Sequence, residues 1–154
     1  MRAADVMEPL HSARLDDALL PVLRMVAQQR LPGVAVVDEG DRVVTCLSIV
    51  DLVGLVLPAY LHSQPGLARV FDEQTADRSC ILRVDSLLRA VVGEVVNRVP
   101  VARPHATVVE LAELMARRNC ALVLVKTDDG RDLGVVTAHK LLGALAVAAE
   151  DRLK

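Results

Sequence analysis

Apolar residues along this chain recur first at helical spacing and then in continuous runs, and the same alternation is met twice. Within residues 107–118, Val108, Leu111, Ala112 and Met115 are spaced by three and four, which puts them on one side of a helix. Thr107 and Glu110 bracket its start as a capping box, the hydroxyl accepting from a first-turn amide and the carboxylate reaching back. Downstream, "ALVLVK" (121–126) and "LGVV" (133–136) flank the polar turn "TDDGRD". Near-continuous apolar runs around a Gly/Asp turn predict a hairpin of strands covered on both faces. The first half reads alike: a helix after Asp17 as N-cap, then "GVAVVD" (33–38), the turn "DEGDR", and "VVTCL" (43–47). Pro21 falls in that helix's first turn, where a missing amide costs little. Each hairpin runs into a second helix, "SIVDLVGLVL" or "TAHKLLGALAVAA".

The chain is therefore an internal duplication. Ser48 and Thr137 lie 89 positions apart, as do Ala13-Arg14 and Ala102-Arg103. Met25 and Met115 differ by 90, which predicts a one-residue indel between the helix and the final motif. The expected fold class is α/β (α+β): two β-α-β-β-α repeats packed with pseudo-twofold symmetry. Residues 1–57 form the first repeat, 58–93 a linker, 94–149 the second repeat and 150–154 a tail. The linker contains Pro58, Pro65-Gly66 and the polar stretch "FDEQTADRS". A structureless connection that long is uncommon in a compact domain, so one or two short helices are expected there, "LLRAVVGEVV" (87–96) first among them.

Composition narrows the function classes. Of 154 residues 53% are hydrophobic and 25% charged, enough apolar material for a packed core. The net charge of -2, with both signs interspersed, offers no basic stripe for nucleic acid. One Tyr, one Phe and no Trp leave almost no surface on which bases could stack. The most hydrophobic window, "CLSIVDLVGLVLPAYL", carries Asp51 and Pro58 and is too short to span a bilayer, and the N-terminus lacks a signal-peptide apolar core. A cytoplasmic protein without membrane partners is expected, with Cys46, Cys80 and Cys120 as buried free thiols. No GxSxG, HExxH, phosphate loop or Cys/His ligand set is present, and histidines 11, 62, 105 and 139 are scattered. The reading is non-enzymatic.

Two β-α-β-β-α copies, each ending in a version of "G-apolar-apolar-[S/T]-x-x-D", resemble a tandem pair of cystathionine-β-synthase (CBS) domains. The resemblance runs from about residue 6 to about residue 145. It implies two clefts between the repeats that take adenosine compounds such as AMP, ATP, S-adenosylmethionine or cyclic dinucleotides, and a flat dimer. It implies further that the motif hydroxyl meets phosphate or ribose while its carboxylate holds the ribose hydroxyls. These roles fall on Ser48 and Asp51 in repeat one; repeat two keeps the hydroxyl of Thr137 and the motif glycine, Gly134, which lets a ligand approach the backbone closely. The chemistry suits them, because one carboxylate can accept two hydroxyl protons and a helix start attracts anionic oxygen. Repeat one has Thr45 in place of the glycine; repeat two has Lys140 in place of the acid. Lys140 and His139 are assigned to ligand phosphate, and Arg14 and Arg103, with His105 nearby, to the region where the family's nucleotides lie.

Two alternatives remain beside these roles. "SIVD" is also an ordinary capping box, Ser48 as N-cap and Asp51 at the third position. Lys140 opposes the helix dipole by a few tenths of a kcal/mol; a phosphate or a neighbouring subunit's acid relieves that, and so does water. The expected function is a stand-alone regulatory module that binds an adenine nucleotide or adenosyl compound and acts on a separate effector protein, since 154 residues leave no room for an effector domain. No cofactor is expected to be required; AMP, ADP or ATP are the candidate bound ligands. Apolar helix surfaces in "VDLVGLVL" and "LLGALAVAA" predict a homodimer. The other reading is a dimeric interaction scaffold whose clefts are empty.

Overall fold

The computed structural model describes residues 1–70, 83–92 and 99–154. It contains two three-stranded sheets of the same construction. In the first half β1 (Ser12–Arg14) pairs parallel with β2 (Gly33–Val37), which pairs antiparallel with β3 (Val43–Ser48). In the second, β4 (Val101–Ala102) pairs parallel with β5 (Leu122–Lys126), and β5 antiparallel with β6 (Asp132–Thr137). The parallel crossovers are the helices Leu19–Gln28 and Val108–Arg118; Ile49–Leu55 and Ala138–Leu153 follow the hairpins. The expected duplicated β-α-β-β-α plan is thus what the chain adopts.

The offset of 89 persists where backbone geometry is most demanding. Left-handed residues occur at Arg30 (φ 52°) and Asn119 (φ 48°), where each crossover helix ends. They recur in the hairpin turns at Asp41 (φ 58°) and Gly130 (φ 88°). The ladders slip between Val36 and Val37 and again between Val125 and Lys126. Buried helix positions match as well: Leu19, Val22 and Val26 in one repeat, Val108, Leu111 and Met115 in the other. This corrects the expected indel. Met115 corresponds to buried Val26 rather than Met25, because burial, not residue identity, is what the duplication preserves.

The capping box at Thr107 and Glu110 forms as the sequence predicts. Repeat one differs: the N-cap is Ala18, without a side-chain cap, and Asp17 instead accepts from the Arg14 amide at 2.8 Å. That corrects the assignment of Asp17. The first-turn amide of Leu19 is satisfied by the Ser86 carbonyl at 2.8 Å, and the Leu88 amide by the Asp17 carbonyl at 2.9 Å. A helix start can be closed by any acceptor that reaches it, and here a distant main-chain segment does so.

Packing at the two chain junctions does not follow the order of the repeats. Leu88 and Val91, from the helix Leu88–Val92, are fully buried in the first half's core with Leu19, Val36, Leu47 and Leu52. Ala3 and Val6, from the N-terminal helix Ala3–Val6, are buried in the second half's core with Leu111, Val123 and Val136. A third cluster, Ala35, Cys46 and Leu124, lies between the sheets. The other described linker elements are the short turns of helix Ala59–Ser63, Pro65–Arg69 and Arg83–Asp85. "FDEQTADRS", Cys80 and the end of "LLRAVVGEVV" lie outside the described residues. On the helices after the hairpins Val50 (75% exposed), Val53 (60%) and Leu142 (66%) face solvent, so the apolar surfaces read from the sequence are open.

Candidate functional site

A partly enclosed cleft opens where the two halves meet. One wall is the extended segment 8–11 with residues 31–35 entering β2; the other is Leu122, Val135 and Thr137, with Cys46 in the lining. Thr137 closes β6 and starts the long final helix, its hydroxyl accepting from the Lys140 amide at 3.1 Å. The same hydroxyl donates to Glu8 Oε2 at 2.9 Å. Glu8 is fixed by its main chain: its amide donates to the Val135 carbonyl at 2.7 Å, and the Val135 amide donates to its carbonyl at 3.0 Å. Gly134 makes that approach possible, since a Cβ there would stand 2.6 Å from the Glu8 carbonyl oxygen. The space next to Gly134 is thus filled by the protein's own N-terminal segment.

The other sequence-predicted residues are placed as follows. Ser48 and Asp51 close on each other: the Ser48 hydroxyl accepts from the Asp51 amide at 3.1 Å, and the Asp51 carboxylate accepts from the Ser48 amide at 2.8 Å. The capping box is therefore formed in full. Arg14 spans to its hairpin turn, pairing with Asp41 at 2.8 Å and donating to the carbonyls of Asp38 and Glu39. Arg103 does the same in its repeat, pairing with Asp128 at 2.9 Å and donating to the Thr127 carbonyl. The matched arginines clamp matched turns. His139 and Lys140 are exposed and are not part of the cleft lining, and His105 is likewise outside it.

Charge breaks the symmetry between the halves. Val37 pairs with Val43 in the first hairpin; the second has Lys126 opposite Asp132, an ion pair at 3.0 Å with side chains 27% and 16% exposed. Asp132 Oδ2 also accepts from the Val43 amide at 3.2 Å, tying the two sheets together. Burial, reinforced by Asp132, pushes the Cys46 thiol up to about 12, so it stays neutral and serves as apolar wall. Cys46 is buried as expected, while Cys120 is only partly so. Among the described residues no three His, Cys, Asp or Glu side chains converge as metal ligands, and no helix is long and apolar enough to cross a membrane.

Comparison with known proteins bears on this arrangement. The sequence pattern of the CBS domain matches residues 92–147. The crystal structure of a CBS domain-containing protein of unknown function from Kribbella flavida is 31% identical and superposes with a TM-score of 0.70, covering 95% of this chain and 99% of that one. The chain belongs to the CBS-domain family. An uncharacterized protein of Methanocaldococcus jannaschii is 25% identical over 153 residues, 94% of this chain and 91% of its own length. CBSX2, solved in complex with AMP, shares the fold at 16% identity with a TM-score of 0.68, over 96% of this chain and 98% of its own. The chain is thus a CBS-domain module. Glu8 is the cleft residue that sequence reading misses: its partner Thr137 is 129 positions away, and no period or motif marks it.

Proposed function

We propose that this CBS module binds an adenine nucleotide or related adenosyl compound in the cleft between its halves, and that occupancy alters its action on a separate effector protein. The observation that carries the reading is the cleft itself. It joins the extended segment 8–11 and the start of β2 to the hydroxyl that ends the second repeat's motif, which is where the family resemblance puts an adenosine ligand. CBSX2, of the same fold, has been solved with AMP bound. A ligand there touches both halves, so it shifts the module between arrangements to the extent that it binds them unequally.

The test is a thermal-shift panel with ATP, ADP, AMP, adenosine and S-adenosylmethionine. A ligand at 100 times its Kd adds about 2.7 kcal/mol, which raises the melting temperature of a chain this size by roughly 5–10 °C. A panel without any shift overturns the sensor and leaves the ligand-free scaffold, the reading favoured by the closed Ser48–Asp51 box.

We also propose a homodimer assembled through the helices that follow the hairpins, since exposed Val50, Val53 and Leu142 present apolar surface on both. Sedimentation at micromolar concentration is expected to give twice the 16.6 kDa chain mass; a monomer rejects the assembly.

A further inference from the structure

The cleft carries an acid from an unexpected source. In the second repeat Lys140 stands where the family resemblance calls for a ribose-binding carboxylate, yet the lining contains a carboxylate, that of Glu8, hydrogen-bonded to the motif hydroxyl of Thr137. Its place is set by the paired main-chain bonds to Val135 and by the missing Cβ of Gly134. Among the described residues no lysine or arginine lines this cleft, and His11 is the only basic side chain in the lining. Arg14 and Arg103 are tied to their turns, Lys126 is paired with Asp132, and Lys140 is exposed and outside the lining.

We propose that Glu8 is the specificity-determining residue of this cleft: it takes the place of the acid absent at position 140, grips a vicinal diol together with Thr137, and selects nucleosides whose 5′ substituent is uncharged or cationic over polyphosphates. A carboxylate accepts two hydroxyl donors at once and is ill suited to face a phosphate. With no cation in the lining strong enough to offset it, an added phosphate brings repulsion without a compensating partner. The preference is the reverse of that expected if Lys140 and His139 face a phosphate. This inference rests on the cleft being an adenosyl-compound site.

The experiment is calorimetric titration of the full chain and of Glu8→Gln with adenosine, S-adenosylmethionine and ATP, at low and moderate salt. The wild type is expected to bind adenosine and S-adenosylmethionine at least about tenfold more tightly than ATP, a difference of about 1.4 kcal/mol. Its ATP affinity should rise with salt, because screening relieves repulsion. Glu8→Gln keeps the shape of the side chain and an oxygen to accept from Thr137. It should weaken adenosine, strengthen ATP and narrow their ratio about tenfold or more. An unchanged ratio in Glu8→Gln, or a wild type that prefers ATP and loses it with salt, overturns the role of Glu8 while leaving the site standing. Failure of all three ligands to bind overturns the adenosyl site and this proposal with it. The salt series uses the native protein alone, so it decides the matter even if the variant does not fold.

Discussion

Gly134→Val is expected to cost about 3 kcal/mol, lowering the melting temperature by roughly 10 °C in a domain of this size, and to abolish the adenosyl-compound binding proposed for the cleft. The added Cβ would meet the Glu8 carbonyl oxygen at 2.6 Å. That atom belongs to the main chain and cannot swing away as a side-chain tip can, so the Glu8–Val135 bridge must open. With it goes the wall of the cleft that Glu8 forms. Gly143 provides the contrast. It lies inside the helix Ala138–Leu153 with open space where a Cβ would stand. Gly143→Ala should therefore stabilise the chain by about 0.5–1 kcal/mol through helix propensity alone. Thermal denaturation of both variants checks the pair. If Gly134→Val melts with the wild type, the N-terminal segment does not lie against β6.

How much of this was legible in the sequence depends on the distance over which each feature is determined. The helix Val108–Arg118 could be read because its cap, its third-position acid and its buried face all lie within a dozen residues. The hairpins could be read for the same reason. The cap of Leu19–Gln28 could not, since its acceptor is Ser86, on a linker turn brought back by packing. An aspartate ahead of a helix is a good local signal, but Asp17 has a nearer use in closing the turn after β1.

The candidate site divides along the same line. The matched arginines Arg14 and Arg103 stand out in the sequence by their offset, and the structure gives them matched partners in the hairpin turns. A repeat signal reports that a position is shared; whether it holds a ligand or its own turn is decided by what folds against it. Gly134 likewise marks a close approach, made here by Glu8. Glu8 and Asp132 carry no signal at all, because each acts across the interface between halves. Duplication makes that interface hard to read: the two copies need not contribute the same residue to it, as Val37–Val43 and Lys126–Asp132 show.

The exchange of segments at the chain junctions leads to the second large effect. Val6 is 4% exposed and packs with Leu111, Val123 and Val136 in the second half's core, although in sequence it stands at the start of the first half. Val6→Asp would place an unpaired carboxylate among apolar side chains, with an expected cost of about 4 kcal/mol or more, a large part of the 5–15 kcal/mol typical of a domain. The milder Val6→Ala, at about 2 kcal/mol, keeps the chain folded and locates the damage. Hydrogen exchange in Val6→Ala should accelerate first in Val108–Arg118 and Leu122–Lys126, while Leu19–Gln28 and Gly33–Val37 keep their protection longer. Leu88→Ala should reverse the order, because Leu88 is fully buried against Leu19 and Leu52 in the first half. If Val6→Ala instead loosens the elements nearest to it in sequence, the N-terminal helix packs with the first repeat and the exchanged arrangement is wrong.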